Sequence, residues 1–221
     1  MKTLFGLFPL AFLTVSLSPL LNANGSEYTP ELFKTTKLIY ADAFDGPLNI
    51  EFWEVRQNTT WAIKDGVLTG SPSSAEFQEK KKASADPSHA GLKPVIWLNK
   101  VPENFVITMR VRYSAKSFQK GFPLLDLGHH TNTIIFSEKA TTLVIKKNVE
   151  TLAAERPLFT LNEWHDVAIE LKKGTILLTI DGKKHRFDSA NIDMTEQHQI
   201  DFKAVDAGSC EIDDVKMWEG Q

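Results

Sequence analysis

The chain has 221 residues, 42% of them hydrophobic and 24% charged, with a formal net charge of −3. No basic excess supports nucleic-acid binding. A single cysteine, Cys210, excludes an intrachain disulfide, so packing, alone or with a metal, must hold the fold.

Residues 1–23 come first. Lys2 gives a short positive start, residues 4–17 carry no charge, and Leu21-Asn22-Ala23 ends on a small residue. That order predicts a secretory signal peptide, since the apolar run is shorter than the ~20 residues needed to span a bilayer. A secreted or periplasmic protein is expected, with no membrane association after cleavage. Residues 24–37 then form an N-terminal extension, and residues 38–221 one all-β domain, an antiparallel two-sheet jelly-roll sandwich. Such domains often reach ~200 residues as one unit. Two N-x-S/T triplets start at Asn24 and Asn58, and they matter only in a host that glycosylates exported chains.

Period-two alternation between turn residues marks the strands. Along residues 105–113, Phe105, Ile107, Met109, Val111 and Tyr113 share one face while Thr108, Arg110 and Arg112 share the other. Residues 166–187 read as a three-strand meander, with turns at Lys172-Lys173-Gly174 and Asp181-Gly182. Further strands are expected at 37–44, 53–56, 61–64, 67–69, 95–99, 122–127, 133–137, 141–146, 198–205 and 209–218. Helix is expected only as a turn or two within 27–36 and 191–197. Residues 71–93 are polar, contain Pro72, Pro87 and Gly91, and read as a long loop in which Lys80, Lys81 and Lys82 are solvated.

Several clusters bear on chemistry. His129-His130 could serve one metal only if Gly128 opens a loop, because neighbours on a strand point to opposite faces. Hard oxygen ligands for a structural Ca²⁺ ion are offered by Asp42 and Asp45 near the start and by Glu211, Asp213 and Asp214 near the end, with Asp45, Asp213 and Asp214 as the candidate set. The competing reading is that these acids are turn and edge residues. Glycoside hydrolysis needs two carboxyls facing one sugar. Laminarinase-type sandwiches supply them from an E-x-D-x-x-E strand, whereas here Glu211-Ile212-Asp213 is followed by Lys216 in the last place. No G-x-S-x-G, HExxH or phosphate loop occurs. Of five tryptophans, Trp164 reads as an inward anchor, while Trp53 and Trp61 are candidate sugar platforms.

Longer runs carry a resemblance. They are Asp42-Ala43-Phe44-Asp45-Gly46-Pro47-Leu48 with Trp53, Trp61-Ala62-Ile63-Lys64-Asp65-Gly66-Val67-Leu68, Asn162-Glu163-Trp164-His165-Asp166-Val167, Leu178-Thr179-Ile180-Asp181-Gly182-Lys183, and the closing Ile212-Asp213-Asp214-Val215-Lys216-Met217-Trp218-Glu219. Over roughly residues 38–220 the chain resembles the concanavalin A-like lectin/glucanase superfamily, and within it the 3-keto-disaccharide hydrolase (DUF1080) domains. The resemblance implies a jelly roll that interacts with carbohydrate, and catalytic relatives act on glycosides, some on 3-keto sugars. The Gly-x-x-Phe-Arg and Glu-x-Gln strands of the hydrolases are replaced here by residues 122–128 and 133–137. Asp126 or His129 is then the candidate acid–base group on the concave sheet, with His89 and His130 beside the substrate. Three readings stay open: a glycoside hydrolase-like enzyme, a sugar- or partner-binding module with Trp53 or Trp61 as its platform, and a structural envelope protein.

Overall fold

The computed structural model describes residues 20–21, 27–85, 87–146, 149–154 and 156–221. The expected signal peptide therefore lies outside the described residues, apart from Leu20–Leu21 (β1), which pairs with Glu27–Tyr28 (β2). Two antiparallel sheets dominate. The seven-stranded sheet runs β12 (Glu150–Ala153), β11 (Thr141–Ile145), β10 (Asn132–Phe136), β9 (Leu124–Leu127), β16 (Gln199–Lys203), β7 (Val95–Asn99) and β4 (Trp53–Val55). The eight-stranded sheet runs β15 (Lys183–Asp188), β14 (Thr175–Ile180), β13 (His165–Lys172), β8 (Phe105–Ser114), β17 (Ser209–Gly220), β6 (Val67–Ser71) and β5 (Thr60–Lys64), and β3 (Thr36–Asp42) completes it. This is the expected jelly-roll sandwich.

Alternate residues of each strand meet between the sheets. Ile107, Met109, Val111 and Tyr113 from one sheet share a core with Ile96, Leu98, Leu125, Leu127, Ile200 and Phe202 from the other. Fully burying one such side chain contributes about 1.5–3 kcal/mol. Side-chain bonds also cross between the layers. Tyr113 Oη donates to the Leu124 carbonyl at 3.1 Å, and Trp53 Nε1 donates to Tyr40 Oη at 2.7 Å. Trp53 is only 2% exposed and packs on Phe44 and Phe202, so it is a core residue and not a sugar platform. Trp61 likewise serves packing: its Nε1 donates to Thr59 Oγ1, and its ring occupies the space a Cβ on Gly70 would need.

A bulge divides β17. Its first part, from Cys210 to Ile212, pairs with β6, and its second part pairs with β3, with the register against β8 shifting between Asp213 and Lys216. Asp214 sits at φ 45 there.

Four local expectations change. Residues 71–93 hold a helix, α1 (Ala75–Lys82), capped by Ser74 Oγ, which accepts from Phe77 N at 3.2 Å, and Lys80, Lys81 and Lys82 form its last turn. No residue of α1 is buried, so it has no apolar face for periodicity to report. Residues 27–36 form no helix, because the amides of Glu31 and Leu32 donate to the Glu170 carboxylate instead of to helical carbonyls. Residues 191–197 form none either, and Ile192 and Met194 point into the core. Trp164 lies on the outer side of the eight-stranded sheet, with the guanidinium groups of Arg110 and Arg112 4.8 and 4.9 Å from its ring. His165, one residue on, faces inward against Phe159. Among the described residues no helix is long and apolar enough to cross a membrane.

Candidate functional site

Four neighbouring strands of the seven-stranded sheet build the site. Trp97 on β7 stands opposite Asp201 on β16, Asp201 opposite Asp126 on β9, and Asp126 opposite Thr133 on β10. Directly opposite residues in an antiparallel pair share a face. Since Leu125, Ile200 and Phe202 fill the core, Asp126 and Asp201 are placed on the outer face. Both carboxylates are nonetheless fully buried, under side chains and the turn that follows β9.

Burying two carboxylates side by side is costly unless cations and donors compensate. Lys203, two residues beyond Asp201 on the same face, supplies the cation. Its Nζ lies 2.9 Å from Asp201 Oδ2 and 3.3 Å from Asp126 Oδ2. Asp126 also accepts from Thr133 Oγ1 at 2.8 Å and from the His130 amide at 2.8 Å. Asp201 Oδ2 accepts from His129 Nδ1 at 2.7 Å. The other Asp201 oxygen, Oδ1, is buried without a hydrogen-bond partner.

Gly128 makes this possible. At φ +73 it turns the chain out of β9, so that His129 and His130 leave the strand and their rings lie 4.0 Å apart. A Cβ there would stand 3.0 Å from Met194 Sδ and 3.1 Å from the Gln197 carbonyl, in a backbone conformation that favours glycine. His129 and His130 both face a cleft of about 680 Å³, which they share with Lys203, Trp97 and the segment around His89. Asp126 does not line it. Of the two residues expected as acid–base candidates, His129 alone lines the cleft, and its Nδ1 is held by Asp201.

Burial, with the neighbouring His129 next in weight, lowers the His130 pKa from its usual 6.5. The unfolded chain then takes up a proton more readily than the native one. The stabilisation from keeping His130 neutral is present above pH 6.5 and fades as the pH falls below it. A His130→Gln variant is expected to show a flatter stability profile between about pH 5 and 6.5 than the parent in urea titrations. Parallel profiles would contradict it.

The calcium set is not brought together. Asp45 is exposed, Asp213 accepts from Arg110 Nη1 at 3.3 Å, and Asp214 pairs with Lys216 Nζ at 2.8 Å. Each of the last two acids is neutralised by its own cation. Glu211 is held by both Nε and Nη2 of Arg112, with the latter at 2.6 Å, so the partial E-x-D pattern belongs to the other sheet and to its arginines. Among the described residues, one group of His and acids has metal-ligand spacing: Asp126, His129 and Asp201 offer ligand atoms within 4.8 Å of one another. The Lys203 ammonium already provides the cation there.

Asp201, Lys203, Trp97 and Arg56 escaped the sequence reading. One signal was present. Asp201 and Lys203 interrupt an apolar strand at alternate positions, which marks a charged outer face over Ile200 and Phe202.

No family model and no curated protein matches the chain. Solved structures do. An endo-β-galactosidase from Clostridium perfringens that releases GlcNAcα1-4Gal is 12% identical at a TM-score of 0.61, over 87% of this chain and 65% of its own. The present chain thus spans just under two thirds of that enzyme. A non-specific endo-β-1,3(4)-glucanase of family GH16 is 13% identical at 0.59, over 87% and 95% of the two chains. A laminarinase from Flavobacterium is 14% identical at 0.53, over 83% and 100%. These likenesses show the fold, a concanavalin A-like jelly roll.

Proposed function

We propose that this is an exported carbohydrate-handling protein of the glycoside hydrolase-like kind, which seats a sugar in the cleft over the seven-stranded sheet and uses His129 to move a proton as a glycosidic bond is broken. One observation carries it: the 2.7 Å bond from His129 Nδ1 to the buried Asp201 carboxylate, at the edge of a cleft of about 680 Å³. A carboxylate behind one imidazole nitrogen orients the ring and stabilises the imidazolium formed when the other nitrogen takes a proton. Lys203 Nζ, 2.9 Å away, pairs with the same Asp201 oxygen. The fold is one that endo-acting glycanases also use, which supports the reading at the level of fold. Export is supported by the basic start, apolar run and small-residue site within residues 1–23.

A second reading, a non-catalytic sugar-binding module, is favoured by the absence of any carboxylate from the cleft lining described. Product analysis on a panel of disaccharides and their 3-keto forms separates the two. Turnover that falls by ~10²-fold or more in a folded His129→Gln variant is expected for an acid–base group. Turnover of no member would remove the catalytic reading, and sugar binding without turnover would establish the module.

A further inference from the structure

The cleft wall has a one-sided chemistry. Among the described residues its titratable side chains are Arg56, His89, Lys93, His129, His130 and Lys203, all nitrogen bases, in a chain whose formal charge is −3. The acids that pair with them stand outside the lining. Asp126 and Asp201 lie buried beneath Lys203 and the histidines, Asp206 holds Lys93 at 2.7 Å, and Glu54 holds Arg56. What faces the cleft is therefore a set of N–H donors.

The aromatic rings reinforce this. A neutral pyranose is usually gripped by stacking its apolar face on a bare ring. Here the Arg56 guanidinium lies 3.9 Å from the Trp97 ring centre, and His129 leans on the same ring at 5.1 Å. Lys93 Nζ stands 4.3 Å from the centre of Phe122. The rings are spent on holding cations, an arrangement that fixes positive charge in place.

From this lining we infer that the cleft selects sugars carrying an anionic group, a carboxylate or a sulfate ester, through Arg56, Lys93, Lys203 and the paired histidines. The inference rests on reading the cleft as a sugar site and adds the substrate class. Arginine, lysine and histidine N–H groups meet the oxygens of such an anion in charge-assisted hydrogen bonds, about twice as strong as neutral ones. Partial removal from water keeps them from being fully screened.

Calorimetric titration with three oligosaccharides of matched length tests it: a neutral glucan trimer, a galacturonate trimer and a sulfated galactan trimer. At low salt, at least one acidic trimer is expected to bind about tenfold or more tighter than the neutral one, about the effect of one good charge-assisted bond. The two acidic arms tell carboxylate from sulfate recognition. The advantage should shrink as salt rises, and an Arg56→Gln/Lys93→Gln double variant should reduce it to about twofold. Lys139→Gln, at an exposed position outside the cleft, should leave it unchanged. Equal or tighter binding of the neutral trimer, or a preference that survives the double variant, overturns the inference. Turnover of neutral sugars without acidic preference would sink this inference alone. Acidic binding without turnover would leave it standing while the catalytic reading fails, and binding of no sugar would end both.

Discussion

Lys203→Met is expected to lower the melting temperature by on the order of 10 °C. The substitution keeps most of the side chain's apolar length and removes only the ammonium that lies 2.9 Å from Asp201 and 3.3 Å from Asp126. Those carboxylates are direct cross-strand neighbours, and neither is exposed. Leaving buried charge uncompensated costs about 3–5 kcal/mol, and each kcal/mol shifts the melting point of a chain this long by about 2–4 °C. Asp126→Asn in the Lys203→Met background should recover part of the loss, since it removes one of the stranded charges. A melting point within 2 °C of the parent, read by scanning calorimetry, would show that the network is not what holds this face together.

Glu170→Ala is expected to release the segment that precedes β3. Glu170 is fully buried on the outer side of the eight-stranded sheet, and its carboxylate accepts from Tyr28 Oη at 2.7 Å, from the Glu31 amide at 2.9 and 3.0 Å, and from the Leu32 amide at 2.7 Å. Burial and then the hydrogen bond to Glu170 push the Tyr28 hydroxyl well above its usual pKa, so it remains a donor. Those bonds press Tyr28 and Phe33 onto Val106, Ala168 and Trp218 in a second, smaller core. Without the carboxylate, three donors lose their partner and the small core opens to water, at an expected cost of about 2–4 kcal/mol by chemical denaturation. Trypsin should then cut after the exposed Lys34 far faster than in the parent. Glu170→Gln, which keeps one acceptor oxygen, should fall between the two. A protease pattern unchanged in Glu170→Ala would mean that the segment is held by its apolar contacts alone.

The legible and the hidden parts of this molecule divide by range. Period-two alternation exposed β8 and the meander β13 to β15, because side-chain direction in a strand is set residue by residue and burial selects for it locally. It also marked Val95–Asn99 to the residue. It missed α1, where no face is buried, and β12, an edge strand with no fully buried residue among its four. His129 and His130 were visible as a pair and Gly128 as the condition for their meeting, since a glycine that permits positive φ is a local feature.

What a periodic pattern cannot carry is which strand lies beside which. Trp53 and Trp61 were open from sequence to a sugar-platform role beside the commoner core role, and the partners Tyr40, Phe202 and Gly70 assign them to packing. Asp213 and Asp214 looked like ligands until Arg110 and Lys216 stood beside them. The sequence by itself determined the all-β class, most strand positions and the histidine pair, because each follows from local sterics and the alternation of apolar burial. The tertiary structure alone decided the site. Sheet order inserts β16 between β9 and β7 and so sets Asp201 and Lys203 against Asp126 and His129, more than seventy residues earlier in the chain, and the charge balance of that buried cluster exists only once the strands are paired.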